Sequence, residues 1–148
     1  MDIHPLIIHF PIVCLVLAPI FDLVAHFTRF DYFHKTGMTL LIGGALTTIP
    51  SAFTGESAAE WAQRIPGIRD ALHHHQDLST IVLWSSLILG VARIHLVARK
   101  RYAGWQKGVH TIGMLCCAGL VLWSAYIGGT LVYEYGAGTA AANALKGN

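Results

Sequence analysis

Four long apolar stretches constrain this chain more than any other feature. They cover residues 5–27, 37–53, 78–98 and 109–133. A bilayer core of about 30 Å needs roughly 20 helical residues, with about 17 as the lower limit. The first, third and fourth stretches meet that easily. The second, GMTLLIGGALTTIPSAF, is short and carries Pro50, yet it still reaches the limit. None of the four alternates polar and apolar residues as a barrel strand must. Only 12% of the residues are charged, about half the share of a soluble domain. The expected fold is all-α, a single integral membrane four-helix bundle over residues 1–148. The first stretch reads as a retained span, because it lacks a basic n-region and no small-x-small site follows it.

Charge in the loops sets the expected orientation. ARKRYAGWQKG, between the third and fourth stretches, holds Arg99, Lys100, Arg101 and Lys107 and no acid. The first loop holds Arg29 and Lys35 against Asp31, and the second holds Glu56, Glu60, Asp70 and Asp77 against Arg64 and Arg69. The positive-inside rule puts the first and third loops in the cytoplasm. Both termini and the second loop then face outward, to the periplasm if the membrane is a bacterial inner membrane crossed by several spans. The net charge of +2 is accounted for by topology, so nothing points to nucleic acid. Cys14, Cys116 and Cys117 all fall within spans. There they read as small hydrophobes, and the lack of C-x-x-C-H removes covalent c-type haem attachment.

The second loop is patterned. Over residues 55–75, Ala59, Trp61, Ala62, Ile65, Ile68 and Leu72 recur at roughly helical spacing. The stretch reads either as an amphipathic segment in the headgroup region or as an ordered loop folded over the bundle. The tail AGTAAANALKGN from Ala137 onward, small and polar, is expected to lie mobile outside the membrane.

Nine histidines are many for this length, and the topology sorts them. His4, His9, His73, His74 and His75 belong to the outer side, and His26, His34, His95 and His110 to the cytoplasmic side. His9 lies about a turn inside the first span, where ionisable groups mark function by default. Ser79, Ser86 and Arg93 fall within about 40° of His75 on a helix. That small, polar stripe should face the bundle interior. His75 would then point inward near His9, and two imidazoles from two helices at one depth suit the axial positions of a b-type haem. The same pair, His9 and His75, could hold copper or zinc. His4 joins the candidate cofactor set at that side, although a polar interfacial anchor is its plainer reading. For His73 and His74 the plainer reading is exposure. A second haem held by His26, His95 and His110 is disfavoured by their faces. Asp22 and Arg93 lie at similar depths, and a buried pair between them would act as a structural lock, since charges in lipid are normally paired. In the fourth span Gly128 and Gly129 permit close approach by a helix or a flat cofactor.

The motifs HPLIIHFPIV at the start and GGTLVYEYGAG at the end carry a resemblance. Together with a histidine opening the third span, they resemble a family of small bacterial four-span predicted membrane proteins with a domain of unknown function. The resemblance covers nearly the whole chain. It marks His4, Pro5, His9, Phe10, Pro11, Asp22, His75, Gly128, Gly129, Leu131, Val132 and Tyr133. Where that family often shows a histidine after LVY-x, this chain has Tyr135. Members occur beside or fused to cytochrome-like modules, so the resemblance implies redox work but supplies no activity. The leading expectation is a membrane electron-transfer subunit holding haem b between His9 and His75, exchanging electrons with a quinone or a cytochrome partner. No residue set for stand-alone catalysis is present. The alternatives are a non-redox structural subunit of a larger membrane complex, packed through Gly43, Gly44, Gly113, Gly128 and Gly129, and copper or zinc handling at the outer face.

Overall fold

A computed structural model describes residues 3–28 and 30–139. The C-terminal tail expected to be mobile lies outside the described residues from position 140 onward. Among the described residues every regular element is a helix: α1 His4–Ile7, α2 His9–Phe27, α3 Asp31–Ala62, α4 Arg69–Ala98 and α5 Gly104–Tyr133. Four segments are long and apolar enough to cross a membrane: residues 4–27, which join α1 to α2, and then α3, α4 and α5.

The break between α1 and α2 at Ile8 is written in the sequence. Pro11 has no N–H to give the carbonyl four residues earlier, and its ring crowds that carbonyl. The helix relaxes there and resumes at His9. The second apolar stretch becomes far longer than 37–53. α3 has 32 residues, about 48 Å at 1.5 Å per residue, and Pro50 sits within it without ending it. The patterned stretch 55–75 is therefore not a loop. Its first part extends α3, its last part opens α4, and only residues 63–68 turn between them.

The helices form a square. α2 packs on α3 and α5, and α4 packs on the same two, so α2 and α4 face each other across the diagonal. Small residues let α3 close on α2. A Cβ built on Gly44 would lie 2.9 Å from Leu15 Cγ, and one on Gly37 would lie 2.9 Å from Asp22 Oδ1. By contrast Gly43 has open space around it and takes no part in this close approach. The mid-bundle core is Leu15, Ala18, Leu41, Val82, Met114 and Val121. Trp84, Ile88, Val91, Leu122 and Trp123 point outward and stay exposed, as side chains facing lipid tails should.

A second, smaller core lies at the end where α1 begins and α5 ends. Ile68 and Leu72 are buried there against Ala59 and Leu131, with Ile65, Tyr135 and Ala137 around them. Through this packing the turn between α3 and α4 lies over the end of α5. The motif LVYEYGAG supplies the matching piece from α5. The Ala137 N–H donates to the Leu131 carbonyl (2.9 Å) and the Gly136 N–H to the Val132 carbonyl (3.0 Å). The bond from Gly136 to Val132, four residues back, is that of an αL cap, which uses the positive φ of 71° found at Gly136.

Candidate functional site

At the same end the bundle opens into a cavity of about 600 Å³, within the usual size range of small-molecule and cofactor sites, roughly 300–1,000 Å³. His4, His9 and His75 all line it, together with Gly128 and Gly129. Ile12, Val82 and Val121 supply apolar wall, and Thr48, Ser51, Ser79 and Ser124 supply hydroxyls.

His75 is brought in by the stripe read from the sequence. Ser86 and Arg93 on the same face of α4 are fully buried, while His73 and His74 are exposed. The His75 Nδ1–H donates to the Ser124 carbonyl at 3.1 Å. Close behind the ring, a Cβ on Gly128 would lie 3.1 Å from His75 Cε1. The glycine is what lets the imidazole sit against α5. Gly129, one residue on, has nothing within 4 Å of where its Cβ would be.

His9 comes from α2, across the diagonal from α4. Its Nδ1–H donates to the Pro5 carbonyl. The start HP-x-x-x-H places that carbonyl four residues before the ring, the spacing at which helical neighbours meet. The motif could have disclosed this bond from spacing alone. In both imidazoles, Nδ1–H is committed to a backbone carbonyl, which leaves Nε2 with the lone pair. Nε2 of neither ring has a protein partner among the described residues. This is the arrangement by which proteins fix the tautomer and direction of a metal-ligating histidine. His4 Nδ1 sits 3.0 Å from Thr54 Oγ1, which ties α1 to α3.

The expected lock forms at the other end. Arg93 donates to both carboxylate oxygens of Asp22, at 2.6 and 3.1 Å, and both residues are buried. Arg93 also donates to the His34 carbonyl. Two partners went unforeseen. The Tyr102 hydroxyl donates to Asp22 at 2.8 Å, and His34 Nδ1–H donates to the other oxygen at 3.1 Å. The carboxylate thus accepts four hydrogen bonds. Tyr102 lies in the turn after α4, and its ring packs 3.5 Å beneath the Arg93 guanidinium. Burial pushes the Tyr102 phenol above the ordinary tyrosine range; the charge of Asp22 adds to this and that of Arg93 opposes it.

Three histidines of that end lie along one run of rings, His26 against His34 (centroids 6.0 Å apart), His34 against Tyr102 (5.8 Å) and Tyr102 against His110 (5.7 Å). His110 is buried with Nε2–H donating to the Leu89 carbonyl. His26 Nδ1–H bonds the Asp22 carbonyl of its own helix. His95 is exposed beside Arg99 and Arg101. His26, His95 and His110 do not share one site. Likewise, no group of three or more His, Cys, Asp or Glu fit to hold a metal ion occurs among the described residues.

A four-span bundle with a histidine-lined cavity at one end defines the class as a multi-pass membrane protein. The chain belongs to the family described as Predicted membrane protein (DUF2231), which it matches over residues 1–141. No match is found among curated proteins or among solved structures.

Proposed function

We propose that this protein is an electron-transfer subunit of a bacterial inner membrane, holding b-type haem between His9 and His75 near the outer face. The single observation that carries the reading is the paired tautomer commitment. Both cavity histidines give Nδ1–H to a backbone carbonyl and keep Nε2 as a donor of electron density. They stand on helices that face each other across the bundle, so the two could hold one group bound between α2 and α4. Two protein ligands are fewer than the four of a structural zinc site, and a histidine pair is what haem would take from the protein.

The residues present fit such a group. The wall is largely apolar, and Gly129 leaves open space beside a flat body. Bound haem supplies a one-electron carrier. His75 and His9 would hold it, Gly128 sets the position of the His75 ring, and the Ser79–Ser124 hydroxyl pair at 3.1 Å braces α4 against α5 beneath that ring. The mid-bundle core below the cavity excludes water from the far side. Electrons would pass between a quinone or cytochrome partner and an acceptor at the outer face.

A reduced-minus-oxidised spectrum of the full chain, expressed with haem supplied, tests the reading. The expected result is a sharp six-coordinate α-band that disappears in His9→Ala and in His75→Ala. A flat wild-type spectrum would remove haem from the account. It would leave the non-redox structural subunit as the reading to pursue.

A further inference from the structure

The cavity is apolar in its body and charged only at its mouth. Apart from histidines, Arg64 and Glu56 are the charged side chains that line it. Arg64 sits in the turn between α3 and α4, and that turn is ordered from both sides. The Arg64 N–H donates to the Trp61 carbonyl and the Ile65 N–H to the Ala62 carbonyl. Four residues on, Ile68 is fully buried in the smaller core. The guanidinium lies 4.3 Å from the centre of the Trp61 ring. A stacked guanidinium keeps its planar fork free for a carboxylate, and stacking restricts the directions in which that fork can point.

Arginine and tryptophan at a membrane boundary ordinarily anchor a helix end. Here they also line the cavity that holds His9 and His75. The site therefore combines an apolar body in the membrane with one oriented cation at the water boundary. We infer that Arg64 is a carboxylate-binding residue of this cavity, and that the cavity takes a flat or extended apolar molecule whose acid group stays at the mouth. The inference rests on the proposed haem site and deepens it. The propionates of haem are one source of that carboxylate, and the head of a fatty acid is the other. Glu56 opposes the acid by like charge and limits its affinity.

The test uses the full chain without haem, reconstituted in nanodiscs at neutral pH. It is titrated with haemin, with haemin dimethyl ester and with oleate. Wild type is expected to bind haemin at least about tenfold more tightly than the ester, the size of one charge-assisted hydrogen bond. Arg64→Gln should abolish that preference and leave ester affinity unchanged, whereas Arg64→Lys should keep only part of it. Glu56→Gln should enlarge the preference, and it carries the test by itself if Arg64→Gln does not fold. Equal binding of acid and ester by wild type, or a preference indifferent to both substitutions, would overturn the inference while leaving the haem site standing. If wild type binds neither porphyrin, the haem reading fails. Arg64-dependent oleate binding would then still support the carboxylate site, and absent or Arg64-independent oleate binding would overturn it.

Discussion

Two adjacent glycines on α5 offer a sharp test, because the structure gives them opposite surroundings. A methyl group on Gly128 would sit 3.1 Å from His75 Cε1 and 3.5 Å from Nδ1. The ring cannot simply retreat, since its Nδ1–H is tied to the Ser124 carbonyl. Overpacking of that kind costs about 1–3 kcal/mol, and the gain in helix propensity from Gly to Ala returns about 1 kcal/mol. Gly128→Ala should therefore be destabilising by about 0–2 kcal/mol. At Gly129 nothing lies within 4 Å, so Gly129→Ala keeps the gain of about 1 kcal/mol unopposed. The two variants should differ by about 1–3 kcal/mol, or about 2–12 °C in Tm for a chain of this size. Thermal unfolding of detergent-purified protein measures this. Gly129→Leu then separates fold from function. Its side chain enters open space, so the haem-free protein should stay folded while haem retention is lost. Equal Tm values for the two alanine variants would refute the packing argument. Full haem content in Gly129→Leu would refute the placement of a flat group beside Gly129.

Three further outcomes follow from the other contacts. Arg93→Met leaves the buried Asp22 carboxylate without its cation, so it should cost about 3–5 kcal/mol; combining it with Asp22→Leu should recover most of that loss, and a double-mutant cycle by thermal unfolding checks the coupling. Gly136→Ala places a side chain at a φ of 71° and should cost about 1–2 kcal/mol, with faster amide exchange over residues 63–68, whose packing partner Tyr135 is held by that cap. Tyr102 keeps its proton in the folded state to higher pH than in the unfolded chain. Its contribution is fully present below the ordinary tyrosine pKa of about 10 and is lost as pH rises above it, with a slope of up to about 1.4 kcal/mol per pH unit. Tyr102→Phe should flatten that part of the stability–pH curve, and an unchanged slope would refute the assignment.

Much of the fold was legible because hydropathy is a local property. Length and apolarity of each stretch fix that four helices cross a membrane, whatever their neighbours do. Periodicity likewise put Ser79, Ser86 and Arg93 on the face of His75, and the matching depths of Asp22 and Arg93 announced their pair. The stretch 55–75 was misjudged as a loop because polar residues such as Glu56 and Glu60 end a hydropathy signal without ending a helix. Tyr102 and His34 escaped notice for a different reason. Neither lies in a strong apolar pattern, and their bond to Asp22 spans 80 and 12 residues of sequence.

What the sequence determined by itself is therefore the solvent of the chain, the number of its crossings and which residue types stand at each depth. Those follow from the transfer cost of side chains and the rise of a helix. Only the tertiary structure decided that α2 and α4 face each other diagonally, that the His75 ring rests against α5 at Gly128, and that residues 63–68 close over the end beside the cavity. Those depend on how small residues such as Gly44 and Gly128 let particular backbones approach, and such close approach is a property of pairs of surfaces.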